Sequence, residues 1–153
     1  MSMSNLLPSE VAAVLATIDP DANSNATYLS DAIDMSRFDA ILAVILVGTM
    51  AGTSTINASF TQATASGGTY KAISPAKAMT ALSQAVSPDD SDKQVLMNLR
   101  AEELDIDHGY RYVKLSLVVG VAESDCGAVV LGFGSRFGPA YDNDLASVAE
   151  IVN

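Results

Sequence analysis

The sequence predicts an all-β protein: an antiparallel β-sandwich, jelly-roll-like, with short helical arms at its N- and C-terminal ends. Three observations carry that expectation. Apolar residues recur with period two in segment after segment, the spacing that sends alternate side chains to one face of a strand. These segments are rich in β-branched residues, which suit a pleated surface. Six to eight of them follow one another, each short and each bounded by turn residues.

Residues 110–133 form the centre of this pattern. Val113, Leu115, Leu117 and Val119 share one face, and Tyr112, Lys114, Ser116 and Val118 share the other. After a polar turn at Glu123-Ser124-Asp125, Val129, Leu131 and Phe133 fall on one face and Cys126, Ala128 and Val130 on the opposite one. Two apolar runs joined by a short turn predict a central antiparallel hairpin.

Residues 1–25 read as an N-terminal arm and residues 26–153 as a single sandwich domain, with no internal repeat or linker. In the arm, Pro8 suits a first helical turn beside Ser9 and Glu10. Val11, Val14, Leu15 and Ile18 then form a stripe at helical spacing. Such an arm packs on its own sandwich or grips a neighbouring subunit. Residues 19–25 read as a loop and 26–30 as a strand. Residues 41–47 are apolar on both faces, as expected of a strand between two layers. Ile56, Ala58 and Phe60 alternate with Thr55, Asn57, Ser59 and Thr61, giving a strand with one wet face. A tight turn at 65–69 contains Gly67 and Gly68, which tolerate positive φ. A short returning strand follows at 70–73, then a short helix at 78–84 and an acidic loop at 87–92. Val95, Met97 and Leu99 alternate with Leu96, Asn98 and Arg100 in a further strand, and 101–107 makes a helical turn. Leu145, Val148, Ile151 and Val152 predict a closing helix capped by Asp142 or Asn143.

Of the 153 residues, 49% are hydrophobic and only 17% charged, against about 25% charged in average soluble chains. Abundant core material and few surface charges imply that partners cover some apolar surface. The net charge is −10 and the 8 Lys and Arg residues are scattered in sequence, which argues against a nucleic-acid partner. Cys126 is the single cysteine, so no intrachain disulfide can form, and an inert buried thiol is expected. The longest apolar run, 40–47, falls far short of the roughly 20 residues that span a bilayer, so no membrane partner is expected. No basic residue precedes the N-terminal apolar segment, and Glu10 stands at its start, so a secretory signal is not expected.

Chemical motifs are incomplete throughout. Asp19, Asp21, Asn23 and Asn25 imitate half of a calcium loop, but Ser24 replaces the glycine and Ser30 the closing glutamate. Asp105, Asp107 and His108 lack a second Cys/His pair for a metal. His108 is the only histidine for a Ser-His-Asp device, and no G-x-S-x-G elbow accompanies it. Residues 132–138, GFGSRFG, place the third glycine one position late for a dinucleotide loop and lie outside any βαβ pattern; these glycines suit a strand end where another backbone comes close. Asn25 and Asn57 begin glycosylation sequons that carry no weight without a secretory signal. No catalytic, cofactor-binding or metal-ligating residue is expected, and the chain does not read as an enzyme. Tyr28, Tyr70, Tyr110, Tyr112 and Tyr141 offer the aromatic contacts a carbohydrate- or receptor-binding module would use, with no Trp to reinforce them.

Several stretches carry a family resemblance. They are Asp34-Met35 through Phe38-Asp39, Ala65-Ser66-Gly67-Gly68-Thr69-Tyr70, Asp90-Ser91-Asp92-Lys93-Gln94-Val95, Gly109-Tyr110-Arg111-Tyr112-Val113 and the closing segment with Asp144-Leu145-Ala146-Ser147-Val148. From about residue 26 onward the chain resembles a family of small structural proteins that tailed bacteriophages and prophages encode near their capsid genes. The resemblance implies a head decoration, or cement, protein. Such a protein binds the outside of the major capsid protein lattice, self-associates as a homotrimer and resides on the virion after assembly in the host cytoplasm. A head-tail connector or tail subunit is the alternative within that class. The resemblance brings no catalytic residue and does not reach the first 25 residues.

Overall fold

The computed structural model describes residues 5–140, 143–144 and 146–152. A four-residue helix, α1 (Pro8–Val11), leads into ten strands: β1 (Ala12–Asn23), β2 (Ala26–Leu29), β3 (Ile33–Asp34), β4 (Phe38–Met50), β5 (Thr55–Ala63), β6 (Lys71–Ala72), β7 (Leu82–Ser83), β8 (Gln94–Arg100), β9 (Tyr112–Gly120) and β10 (Ser124–Ser135). They form two antiparallel sheets stacked as a sandwich. One has the order β1-β10-β4-β8; the other has the order β2-β9-β5-β6, with β3 added to β9 and β7 to β5.

Period-two alternation builds the core. Ile41, Ala43, Ile45 and Val47 of β4, with Cys126, Ala128 and Val130 of β10, point inward from the first sheet. Ile56, Ala58 and Phe60 of β5, with Val113, Leu115, Leu117 and Val119 of β9, point inward from the second. All belong to one continuous buried cluster. Facing apolar layers of this kind supply the main favourable term for a sandwich.

The expected central hairpin is not formed. β9 and β10 lie in different sheets. β9 runs between β2 and β5, and β10 between β1 and β4. The chain crosses from one layer to the other through 121–123, with Val121 at φ 71°. A buried hydrogen bond of 2.9 Å between Ser124 Oγ and Ser54 Oγ secures the crossing. Alternation specifies which face of each strand is apolar but not which strand lies beside it. The two apolar faces meet across the sandwich instead of side by side.

The terminal arms also differ from expectation. The stripe Val11, Val14, Leu15 and Ile18 belongs to β1 beyond the single turn of α1. Register shifts at Val14/Ala16 and Ile18/Asp21 insert extra residues. The stripe mixes two faces of the strand: Val14 stands in the outer row with Leu131, whereas Leu15 packs on the core and Ile18 is buried, with the bulge between Val14 and Ala16 shifting the alternation. Residues 19–23, read as loop, continue β1, with Asp21, Ala22 and Asn23 opposite Cys126, Asp125 and Ser124. At the C-terminal end, one turn closes where Ser147 and Val148 donate main-chain N–H bonds to the Asp144 carbonyl. No helix follows among the described residues; Tyr141, Asp142 and Leu145 lie outside them. Asn143 does not cap a helix, since its Oδ1 accepts the Val14 N–H at 2.8 Å.

One smaller expectation fails as well. Residues 78–84 form no helix, because the Lys77 carbonyl and the Met79 N–H bond the edge of β5 at Phe60 and Ala58. The tight turn expected at 65–69 is present and closes through Gly68 N–H to the Ala65 carbonyl, without a positive φ at Gly67 or Gly68.

At Gly127 the main chain of β10 comes close to that of β1. A Cβ there would lie 2.7 Å from Pro20 Cα and 2.9 Å from Pro20 N. Backbone atoms cannot turn aside as a side chain can, so Gly127→Ala should destabilise the fold by about 1–3 kcal/mol. Leu115, fully buried between the sheets, should cost about 2–5 kcal/mol on truncation to Ala. Urea unfolding of the two variants measures both losses. A Gly127→Ala protein as stable as the parent would show that β1 and β10 separate at Pro20 more readily than the geometry indicates.

Candidate functional site

The outward side of the β1-β10-β4-β8 sheet presents an apolar face. Strand register sets it out in rows across the four strands. Val14, Leu131, Leu42 and Asn98 form one row, and Thr17, Val129, Val44 and Leu96 the next. Gly127, Leu46 and Gln94 form a third, shorter row. Leu46 is 49% exposed and Leu96 62% exposed, whereas Leu42, Val44, Val129 and Leu131 are half-buried among their neighbours. Residues 41–47 were expected between two layers. Their inner face is buried, but their outer face has no second layer over it among the described residues. Apolarity on both faces of β4 therefore marks a sheet with one covered side and one bare side.

An open groove of about 1010 Å³ lies at one end of this face, lined among others by Thr17, Pro20, Leu46, Gly127, Val129 and Ala146. Asp19, Asp21 and Asp125 contribute to the same lining. The tail reaches the face by pairing with the β1 edge, where the Asp144 N–H donates to the Val14 carbonyl at 2.7 Å.

The residues weighed for chemistry go elsewhere. Asp19, Asp21 and Asn23 extend along β1. Asp21 Oδ1 accepts the Ala22 N–H at 2.8 Å, and the buried Asn23 amide donates to the Cys126 carbonyl at 2.7 Å. Asn23 thus joins β1 to β10 instead of facing a cation. His108 Nδ1 lies 2.7 Å from Asp105 Oδ1, and Lys71 Nζ lies 3.2 Å from Asp105 Oδ2. The hydrogen bond from His108, helped by Lys71, holds the Asp105 carboxyl below the usual range. Asp107 is exposed on the same turn. No serine hydroxyl bonds His108 among the described residues, and no three of His, Cys, Asp and Glu converge on a metal-sized site among them. At 132–138 the neighbours are side chains: Gly132 faces Leu15 and Phe38, and Gly134, at φ 64°, faces Asp39. Cys126 is buried, and burial raises its thiol pKa against the weaker opposing effect of Asn23.

One grouping was not visible in the sequence. Lys71 sits 4.0 Å from the centre of the Tyr110 ring, Arg111 5.0 Å from Tyr112 and Lys114 4.9 Å from Tyr70. Three of the basic residues read as scattered therefore share one patch with three tyrosines. Asp105 and Asp34 pair with Lys71 and Arg111 within it. One face of each ring is occupied by the chain's own cation, which removes stacking surface a sugar would use. Tyr28 lies apart, its hydroxyl bonded to the Ser24 carbonyl at 3.1 Å, and Tyr141 lies outside the described residues. No helix among the described residues is long and apolar enough to cross a membrane.

Two outcomes follow from these environments. Burial disfavours the Asp34 carboxylate, but hydrogen bonds from Ser36 and Arg111 outweigh it and lower its pKa. A depressed carboxyl stabilises the fold above its unfolded pKa of about 4 and loses that contribution as pH falls through the folded value. The parent should exceed Asp34→Asn by about 0.5–1.5 kcal/mol at pH 7, after discounting for solvent screening, and the gap should close toward pH ~2. Thermal melts across that range check the sign; a gap that widens in acid contradicts it. Cys126 should resist a water-soluble disulfide reagent in the native protein and react fully in denaturant. Rapid native labelling would show that β1 opens away from β10.

No family model matches the chain, and no curated protein matches it. Among solved structures, a chain of the cryo-EM structure of Broad Bean Stain Virus is similar at 10% identity and a TM-score of 0.45, with 94% of this chain and 100% of that chain covered. A chain of the structure of infectious bursal disease virus, Gx strain, is similar at 15% identity and a TM-score of 0.38. That match covers 83% of this chain and 31% of the viral one.

Proposed function

We propose that this chain is a structural protein of a virus particle: a head decoration protein that lies on the outside of a major capsid protein lattice and stabilises it. The observation that carries the reading is the uncovered apolar face of the β1-β10-β4-β8 sheet, with Leu46 and Leu96 well exposed at its centre and side. The resemblance of residues 26–153 to small capsid-associated proteins of tailed bacteriophages supports the same role.

The physical logic is additive. Burying apolar surface contributes about 25 cal/mol per Å² before the losses of association. A single modest contact gives weak binding, and self-association into a homotrimer on a repeating lattice multiplies it. The segment ahead of β1, with α1, extends this reading as a short arm that contributes to subunit contacts. The net charge of −10 keeps packaged nucleic acid unbound and opposes association except where apolar surface compensates.

The test is binding to purified capsids that lack this chain, followed by cryo-EM of the complex. The chain should co-sediment with capsids and occupy repeated positions on the shell with the Leu46 face inward. Leu46→Asp, at an exposed position that the fold tolerates, should lose about 1.5–3 kcal/mol, a ten- to hundredfold weakening. Capsids that stay bare in the presence of folded protein would end the decoration role. Density confined to one ring at a single vertex would assign a connector role.

A further inference from the structure

A strand at the end of a sheet exposes a row of main-chain donors and acceptors, and natural sheets blunt such edges with charge, proline, bulges or a covering segment. The first sheet ends in β1 on one side and β8 on the other. β1 carries every one of these devices. It has Asp19, Pro20 and Asp21, two register shifts, and the tail bonded at Val14 through Asn143 and Asp144.

β8 carries none of them over six residues. Gln94 to Leu99 contain no charge, proline or glycine, and pair with β4 without a register shift. The Val47 N–H donates to the Lys93 carbonyl at 2.9 Å, so Lys93 faces β4. Antiparallel alternation then turns Val95, Met97 and Leu99 toward β4, and Gln94, Leu96, Asn98 and Arg100 away from it. Arg100 confirms the parity, because its outward N–H is taken by Glu103 Oε2 at 2.7 Å. Among the described residues, no hydrogen bond reaches the outward main chain of Gln94, Leu96 or Asn98. A groove of about 420 Å³ runs beside them, bounded on its other side by residues 76–80.

We propose that β8 pairs antiparallel with β8 of a second copy of this chain, about a twofold axis at Leu96, joining two four-stranded sheets into one of eight strands. The sequence of the strand is complementary to its own reverse in this register. Leu96 lies opposite the partner's Leu96, an apolar pair at the axis. Gln94 lies opposite the partner's Asn98, two amides that each donate and accept. The axis doubles this amide pair. Sliding by two residues sets Leu96 against the partner's Asn98 and Gln94 against the partner's Arg100, which loses both the apolar pair and the amide pair. In a chain of net charge −10, six uncharged residues let two copies meet without like charges in contact. A threefold assembly would close through other surfaces, and this twofold contact would double it. The pairing depends on the chain alone and stands whether or not the protein binds capsids.

Cross-linking tests it directly. Leu96→Cys places two thiols at directly opposed positions, Cα atoms about 5.5 Å apart, within disulfide reach. Asn98→Cys places them four residues apart along the strand, about 14 Å, beyond the ~7 Å limit. The native Cys126 is buried and does not compete. Under mild oxidation Leu96→Cys should form a covalent dimer and Asn98→Cys should not. In parallel, Leu96→Lys, which sets two like charges face to face at an exposed position, should halve the mass measured by sedimentation equilibrium with an unchanged circular dichroism spectrum. The proposal is overturned if Asn98→Cys cross-links as readily as Leu96→Cys, if Leu96→Cys does not cross-link, or if Leu96→Lys keeps the parent mass.

Discussion

The pairing of β4 with β10 is the constraint on which the rest of the structure depends. These two strands form the middle of the first sheet, opposed from Ser124↔Met50 to Ser135↔Phe38. Their inward residues, from Ile41 to Val47 and from Cys126 to Val130, close the core against β5 and β9. Their outward residues, Leu42, Val44, Leu46, Val129 and Leu131, are apolar as well. One pair of strands thus supplies both the cohesion of the fold and the surface most suited to a partner. Any substitution that splays β4 from β10 disturbs both. Gly127 shows how tight the margin is: it lies opposite Leu46 on one side and against the Pro20 backbone on the other.

Much of the sandwich was legible because alternation is a local property. Val113 to Val119 and Ile56 to Phe60 have the facing the sequence predicts, since a strand's inner and outer residues follow from adjacent positions. The choice of neighbour was not legible, because β9 and β10 satisfy the same alternation whether they pair with each other or face each other across the core. Only the crossing at Val121 decides between these, and a valine at positive φ has no signature in composition. The helical reading of Val11 to Ile18 failed for a related reason. One bulge between Val14 and Ala16 breaks the alternation that would have marked a strand, while the partner that forces the extended backbone lies more than one hundred residues away. Residues 78–84 failed in the same way, with β5 as the distant partner.

The candidate surface was half legible. Apolarity on both faces of residues 41–47 was visible, and so was the scarcity of charge. That no second layer lies over the outer face among the described residues was not, because it depends on where distant segments of the chain run. The bare edge of β8 was hidden more deeply. Gln94 to Leu99 read simply as a strand, and a strand becomes an edge only through the order of its sheet. The tyrosine and cation patch was hidden by distance in sequence: Lys71 and Tyr70 lie forty residues from Arg111, Tyr112 and Lys114.

Charge explains how these surfaces can coexist on one chain. A protein of net charge −10 repels its own copies, and within a Debye length of about 8 Å that repulsion is felt unless the contacting surfaces are neutral. The acidic residues are placed accordingly. Asp19, Asp21 and Asp125 gather at the groove end of the outer face, and Asp89, Asp90 and Asp92 lie in the loop before β8. Both groups lie beside Gly48 at one end of the first sheet, where Asp125 packs against it and the Asp92 N–H bonds its carbonyl. The apolar rows and the β8 edge extend away from that end and carry almost no charge of their own. Burying them therefore desolvates few ions, which avoids the large cost of removing a charge from water, while the acidic end penalises docking that overlaps it. Sparse charge gathered at one margin serves here to select among contacts: it leaves two neutral surfaces available and makes approach at that end unfavourable.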